Sequence, residues 1–387
     1  MKGLFIFDQA LAVSTEGNIY DSIFTNEVFK RYLSHVEQLT IIVRLRPADM
    51  NIIEKRNIPQ IDLENIRVVN IPNLLSVKGM MKYYKARKIV CAEVKKADII
   101  FVREPSVLEG IATYYAKKMK KKYILELGGC PWDTFWNQGF KGKIVAPIRY
   151  WSTRRATWNA EHVVYVTNQW LQHRYPTQGR SVCCSNVNIE CDEASLTKRL
   201  KKIRKKTEKR VIIGSIGDYD VRSKGHRYII QALALLNCDD EKYIYQIVGS
   251  GDKTDSLEIA KKYNVDQYIE FVPPMNHADI LKWLDQIDIY AQPSRQEGLP
   301  RSVIEAMSRG LAVIGARTGG IPELIRDECV FSNSKDEVNE IVDIIKKLDD
   351  KGKLIELAVE NYNNSMQYNS SIIEKRRSDF FDEVIRS

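Results

Sequence analysis

Residues 287–324 run IDIYAQPSRQEGLPRSVIEAMSRGLAVIGARTGGIPEL. The apolar run Ile287–Ala291 is stopped by Pro293-Ser294, the pattern of a buried strand with a terminator. A short loop carries Glu297 beside Gly298. A helix then starts at Pro300-Arg301 and runs to Gly310, a natural stop after the last helical turn. A second short apolar run spans 311–315. Strand, loop, helix, strand is a crossover of the kind that binds ligands at the carboxyl ends of its strands. Glu297 and Glu305 flank that position. The plainer reading of Glu305 is an ion-pair row with Arg301 and Arg309 at i, i+4 spacing. The sharper one is a carboxylate that accepts two hydrogen bonds from a vicinal diol. Spacing leaves both open.

The same alternation extends in both directions. Upstream, apolar runs at 3–7, 39–43, 67–71, 98–102, 123–127, 162–166 and 181–185 alternate with helical patterns. A second series begins near Val211, Tyr243, Tyr268, Ile287, Leu311 and Cys329. Strands that alternate with helices imply α/β architecture with parallel sheets. At 387 residues and roughly 150 per domain, two or three domains fit. The expected division is a first domain over 1–195, a basic linker at 196–210 and a second domain over 211–370.

Composition is that of a water-compatible globular chain, 44% hydrophobic and 28% charged. No apolar run approaches the roughly 20 residues of a membrane-spanning helix. The opening MKGLFIFDQ is too short in apolar length for a signal-peptide core. Seven cysteines without paired metal spacing suit reduced thiols and a cytoplasmic setting. Nearly all of the +9 net charge sits in 196–210, which holds nine Lys or Arg against one acid. Further basic stripes span 74–98, with Val77, Met81 and Tyr84 on one helical face, and 117–122. Such stripes are usually solvated; the sharper expectation is contact with an anionic membrane. The five histidines show no ligand or triad spacing.

Glu297-Gly298-Leu299-Pro300 through Glu305-Ala306-Met307, followed by Gly319-Gly320-Ile321-Pro322-Glu323, resembles the Glu-x7-Glu signature of retaining glycosyltransferase family 4. Upstream the likeness takes in Gly217, Lys224-Gly225 and Val248-Gly249-Ser250-Gly251. The resemblance implies a GT-B fold: two Rossmann-like, doubly wound domains facing a central cleft. Its C-terminal helix, here 371–387, crosses back to the first domain. It implies that Glu297 meets the donor sugar and that Glu305 holds the nucleotide ribose. Lys224 is implied as the phosphate lysine, with Val272 and Pro273 near the base. Gly217, Gly249, Gly251, Gly298, Leu299 and Pro300 complete the implied donor side.

The family often has a basic residue after the first glycine, where this chain has Asp218; Arg222 is the candidate substitute. Catalytic roles are therefore expected of Glu297, Lys224 and Arg222. On the acceptor side the candidates are Gly17 in a loop after the first strand, Arg103 and Glu104 at a strand end, and Trp132 with Asp133 after another. Aromatic faces there suit the C–H face of a sugar, and a carboxylate suits its hydroxyls.

Asp218-Tyr-Asp220 matches a metal motif of a different glycosyltransferase fold and is read as coincidental, so no metal and no cofactor is expected. The expected partners are a nucleotide sugar, UDP-linked by family habit, and a glycan or lipid-linked acceptor in surface polysaccharide or glycolipid synthesis. Nucleic acid is not expected, and the location is cytoplasmic, at the inner face of the membrane. The alternatives are a GT-B epimerase or phosphorylase, or a non-enzymatic basic module that binds membrane or nucleic acid.

Overall fold

Runs such as 3–6 and 99–102 are apolar at every position because a parallel sheet covered by helices on both faces has no wet side. The computed structural model, which describes residues 1–55, 57–74, 79, 81–238 and 242–387, buries these runs almost completely. It divides into two units. The first comprises residues 1–166, 172–184 and 374–387. Its strands are β1 (Lys2–Val13), β2 (Ile19–Tyr20), β3 (Gln38–Pro47), β4 (Gln60–Ile61), β5 (Ile66–Asn70), β6 (Ile99–Glu104), β7 (Lys122–Leu127), β8 (His162–Tyr165) and β9 (Arg180–Cys183). The parallel core runs β5-β3-β1-β6-β7-β8-β9. β1 is irregular between Ile6 and Ala10, beyond which it no longer pairs with β6.

The final helix, Ser370–Arg386, belongs to this first unit from Glu374 onward. Arg31 bonds Glu374 at 2.6 Å, and Phe381 packs on Phe101 with ring centres 5.1 Å apart. Within the basic stripe 74–98 the residues Tyr83–Lys96 form a helix, with Met81 and Tyr84 exposed. Val77 lies outside the described residues.

The second unit comprises residues 167–171 and 185–373. Its strands are β10 (Val211–Ile216), β11 (Tyr243–Val248), β12 (Ile269–Val272), β13 (Ile289–Gln292), β14 (Ala312–Ala316) and β15 (Val330–Phe331). All neighbours are parallel, in the order β12-β11-β10-β13-β14-β15. Numbered within the unit this is 3-2-1-4-5-6, the doubly wound order, whose direction reverses between β10 and β13. Ligands of such sheets bind beyond the strand ends at that reversal.

Residues 196–210, expected as a linker, are instead built into this unit, and the boundary falls at Cys184–Ser185. Residues Glu193–Lys205 form a helix capped by Asp192, whose side chain accepts from the Ala194 N–H. Its charges act as staples. Buried Arg199 donates to the carbonyls of Ile287 and Leu284 at 2.7 and 2.6 Å, and Lys206 pairs with Asp288 at 2.6 Å. Burial pushes the Arg199 guanidinium down to about 10. Three of the nine cations, Arg199, Lys202 and Lys206, are thus buried or half-buried against the start of β13, while the other six are exposed. Among the described residues no helix is long and apolar enough to cross a membrane.

Candidate functional site

The loop that leaves β10 runs from Gly217 to Gly225, and the loop that leaves β13 runs from Pro293 to Pro300. The two are fastened together at several points. The Arg295 N–H donates to the Ser223 carbonyl at 2.7 Å. Gly225 has φ +74°, and a Cβ there would lie 1.9 Å from the Pro293 carbonyl oxygen, so only glycine fits. This docking brings the Lys224 Nζ to 2.9 Å from the Glu297 Oε1. Buried Gln292 donates to the same carboxylate oxygen at 2.9 Å, while its own Oε1 accepts from the Tyr290 and Ser302 hydroxyls at 2.8 and 3.2 Å. Glu297 is thus aimed by a lysine from one loop and an amide from the strand below it.

From the other side, Gly319 has φ +58°, and a Cβ there would stand 2.3 Å from the Glu297 carbonyl oxygen. The Gly320 N–H donates to the Gly298 carbonyl at 2.7 Å. Gly298, Leu299 and Pro300 are held between these contacts, with Leu299 and Pro300 buried.

Pro300 caps the helix Arg301–Ser308 and Gly225 caps the helix His226–Leu236, in neither case with a side-chain hydrogen bond. Two helix starts therefore flank the Lys224–Glu297 pair with no side chain to satisfy their first-turn N–H groups. Glu305 lies in the first of these helices. It is mostly buried, and its Oε1 faces the His277 Nε2 at 3.5 Å. That carboxylate hydrogen bond raises the His277 imidazole above its ordinary value. The ion-pair row is not formed: Arg309 turns instead to Asp285 at 2.8 Å. Glu305 and Glu297 share one neighbour. The buried Tyr290 hydroxyl is pushed up chiefly by burial, with the charges of both glutamates adding.

The remaining donor-side candidates fall around this centre unevenly. Gly217 sits against the Lys224 stem: a Cβ added there would lie 3.0 Å from the Lys224 Cγ. Gly249 faces the Gly217 carbonyl, and Gly251 lies against the Asp220 carboxylate. Asp218 is engaged within the loops, accepting from the Ser250 N–H and hydroxyl at 2.9 and 2.6 Å. The Val272 carbonyl, at the end of β12 before Pro273, accepts from the Gly249 N–H at 3.1 Å and the Tyr219 hydroxyl at 2.5 Å. Arg222 is not brought to the pair. Its side chain is 84% exposed and bonds Asp255 at 3.0 Å.

In the first unit the strand order also reverses, between β1 and β6, and the result is different. Glu104, expected to contact an acceptor, is instead a structural carboxylate, 0% exposed. It accepts from the Ser106 N–H at 2.8 Å and from the Arg149 Nη2 at 3.2 Å. Burial and the neighbouring Glu109 drive its carboxyl well above the usual range. Asp8, mostly buried at the irregular part of β1, accepts from the Val107 N–H and is also raised, chiefly by burial.

Arg103 bonds Glu126 at 3.2 Å and lies over the Phe24 ring. Gly17 sits in an open turn at φ +91°. Trp132 stacks on Trp136 with ring centres 5.0 Å apart, and Arg174 lies over its ring at 5.9 Å. Asp133, one residue on, is raised by burial, with Arg174 opposing.

Residues 197–365, which span all of this second-unit geometry, match the family described as glycosyl transferases group 1. Over nearly its whole length the chain is also similar to protein CapJ of Staphylococcus aureus, 28% identical over 382 residues that cover 97% of this chain and 94% of CapJ. The second unit thus carries a group 1 glycosyltransferase domain.

A shorter match, 30% identical over 112 residues, covers 28% of this glycosyltransferase. It also covers 30% of the N,N'-diacetylbacillosaminyl-diphospho-undecaprenol alpha-1,3-N-acetylgalactosaminyltransferase of Campylobacter jejuni. Among solved structures, Anabaena HepE in complex with UDP-glucose superposes with a TM-score of 0.66 at 16% identity, covering 99% of this chain and 100% of HepE. The fold is GT-B, as the Glu-x7-Glu resemblance implied.

Three residues of this glycosyltransferase that matter to the site were given no role from sequence. Gln292 was legible, because a buried amide that ends an apolar strand needs partners. His277 had no local signal, since its contact with Glu305 crosses from another helix. Glu323 accepts from the backbone N–H groups of Asn168 and Gln169 at 2.7 and 3.1 Å and also from that of Trp170. It thereby ties the segment 167–171 to the Gly319-Gly320 turn, a contact that only the fold creates.

Proposed function

We propose that this chain is a retaining, metal-independent glycosyltransferase that acts in the cytoplasm. It would move a sugar from a UDP-linked donor to a glycan or lipid-linked acceptor in surface polysaccharide or glycolipid synthesis. The observation that carries the reading is the Lys224–Glu297 pair, set between two helix starts that lack side-chain caps. A diphosphate at that point meets a fixed cation and first-turn N–H groups, both suited to negative charge. Glu297 accepts from hydroxyls of the donor sugar, and Glu305 accepts from the ribose diol.

In the transfer the bond from sugar C1 to the phosphate oxygen breaks. The acceptor oxygen bonds to C1 on the same face, and its proton passes to the departing phosphate. Lys224 offsets the charge that grows on that phosphate. Such a route asks for no protein base.

HepE binds UDP-glucose on a similar fold, and the Campylobacter enzyme, by its name, acts on a sugar linked to diphospho-undecaprenol; both support the donor and acceptor classes. The cysteines are all free, which suits a reducing compartment.

Thermal stabilisation by a panel of nucleotide sugars tests the donor, because bound ligand raises stability as ln(1 + [L]/Kd). Stabilisation by at least one UDP-sugar is expected, followed by transfer that survives EDTA and retains the donor's anomeric configuration by NMR. Lys224→Ala should lower kcat more than donor affinity. An inverted product, a requirement for added manganese, or a Lys224→Ala enzyme with normal turnover would each overturn the corresponding part.

A further inference from the structure

The helix Gly139–Trp158 of the first unit turns its bulkiest apolar side chains outward. Its inward face is small or hydroxylic: Gly142, Ala146, Thr153 and Thr157 are buried. Its outward face carries Phe140, Ile144, Ile148 and Trp151, exposed by 80, 58, 66 and 66%. Spacings of four, four and three place these on one stripe, and exposed Trp158 continues it. Single exposed apolar residues are ordinary, but a stripe of bulky ones along five turns marks an interaction surface.

The charge on the helix says what the surface meets. Its 20 residues include five Lys or Arg and no acid. Exposed Lys141 and Lys143 fall on either side of the stripe, and exposed Arg155 follows Trp151 within it. The helices Glu109–Lys118 and Tyr83–Lys96 lie on the same face of the sheet, since each precedes the next parallel strand in the same direction. Contacts join the row: Lys117 donates to the Asn159 carbonyl at 3.0 Å, and Arg87 lies over the Tyr114 ring. This neighbouring surface repeats the chemistry, with Tyr114, Tyr84 and Met81 exposed among lysines.

We infer that the stripe Phe140–Ile144–Ile148–Trp151, flanked by Lys141 and Lys143, docks the first unit onto an anionic lipid bilayer. Bulky apolar side chains enter the boundary between headgroups and acyl chains, tryptophan favours that depth, and the cations meet lipid phosphates. A second copy of the chain fits poorly, because a two-fold contact through this helix would set cations against cations. The inference is independent of the donor site. It deepens only the lipid-linked part of the proposed function, by stating where the enzyme meets the lipid phase.

The test is flotation of the full chain with phosphatidylcholine vesicles, with and without phosphatidylglycerol, and with neither nucleotide sugar nor acceptor present. Binding to the anionic vesicles is expected, with at least a tenfold loss in Ile148→Ser/Trp151→Ser and a salt-dependent loss in Lys141→Glu/Lys143→Glu. These positions face outward, so unchanged circular dichroism and unchanged nucleotide-sugar stabilisation should accompany the loss. Brominated lipids should quench tryptophan emission in the native chain and quench it less in Trp151→Phe. A native chain that stays with the buffer, or a serine variant that floats like the native chain, overturns the inference and leaves the donor reading standing. A native dimer that the serine variant converts to monomer, with vesicle binding unchanged, also overturns it and makes the stripe a self-association face.

Discussion

The two units are wound alike yet treat the point of strand reversal in opposite ways. In the second unit the loops beyond β10 and β13 meet in a partly open lysine–glutamate pair, Lys224 with Glu297. In the first, Asp8 within β1 and Glu104 at the end of β6 join Glu109 and Arg149 in a polar cluster whose two glutamates are fully buried. Topology supplies a position where a ligand can bind, and the side chains placed there decide whether it stays accessible. Glycines at 217, 225, 249 and 319 thin the backbone around Lys224. Around Glu104 the chain instead fills the space with its own carboxylates and must keep them protonated or paired.

The strongest blow to this contrast would come from Glu104→Ala. Removing one member of a buried charged cluster is expected to cost about 3–5 kcal/mol of stability in urea unfolding, with nucleotide-sugar binding by the remaining folded protein unchanged. A loss below about 1 kcal/mol would mean that the cluster is not a closed structural core.

Acid should then separate the units. Burial depresses the His226 imidazole from 6.5 to about 4, so its stabilising contribution is present above pH 6.5 and is lost as pH falls toward 4. That amounts to ~3 kcal/mol for the second unit. Glu104 and Glu109 are raised above 4.5, so their contribution is complete below pH 4.5 and is lost as pH rises through the folded values. Hydrogen exchange read on β10–β11 and β6–β7 peptides should show His226→Gln blunting the acid loss in the second unit only. Glu104→Gln should flatten the opposite slope in the first. Identical pH responses in the variants and the native chain would remove both attributions.

Glu305→Ala is expected to weaken nucleotide binding by roughly 1.5–3 kcal/mol through lost charge-assisted hydrogen bonds, and to lower the raised imidazole of His277 by NMR titration. Unchanged affinity in calorimetry would reduce Glu305 to a partner of that histidine. The smallest effect is expected at Arg222. Exposed and paired with exposed Asp255, it should change donor affinity by less than about 0.5 kcal/mol on mutation to alanine. A tenfold loss there would show that the side chain swings onto the phosphates when donor is bound.

Much of the second unit was legible along the chain. Apolar runs of strand length, the stop at Pro293, and Gly310, found at φ +63°, are local features whose physics acts within a few residues. Glu297 and Lys224 could be named because a recurring local pattern carries each of them. Glu104 could not be judged in that way. A carboxylate at a strand end reads the same whether it faces solvent or lies beneath Arg149, and Arg149 is 45 residues away in sequence. The stretch at 196–210 misled for a similar reason. Six of its nine cations are exposed as a linker's would be, but Arg199 lies buried against the carbonyls of Leu284 and Ile287 and fixes the stretch to the second unit.

The amino-acid order alone determined that this is a two-part α/β chain and singled out two glutamates eight positions apart, one in a loop after a strand and one in the helix that follows. Periodicity and turn chemistry are short-range and need no partner to be read. Tertiary structure alone decided which charges are available to a ligand and which are consumed as internal staples. It also decided that the bulky face of 139–158 points outward. Burial depends on what arrives from distant parts of the chain, and only the assembled fold brings those parts together.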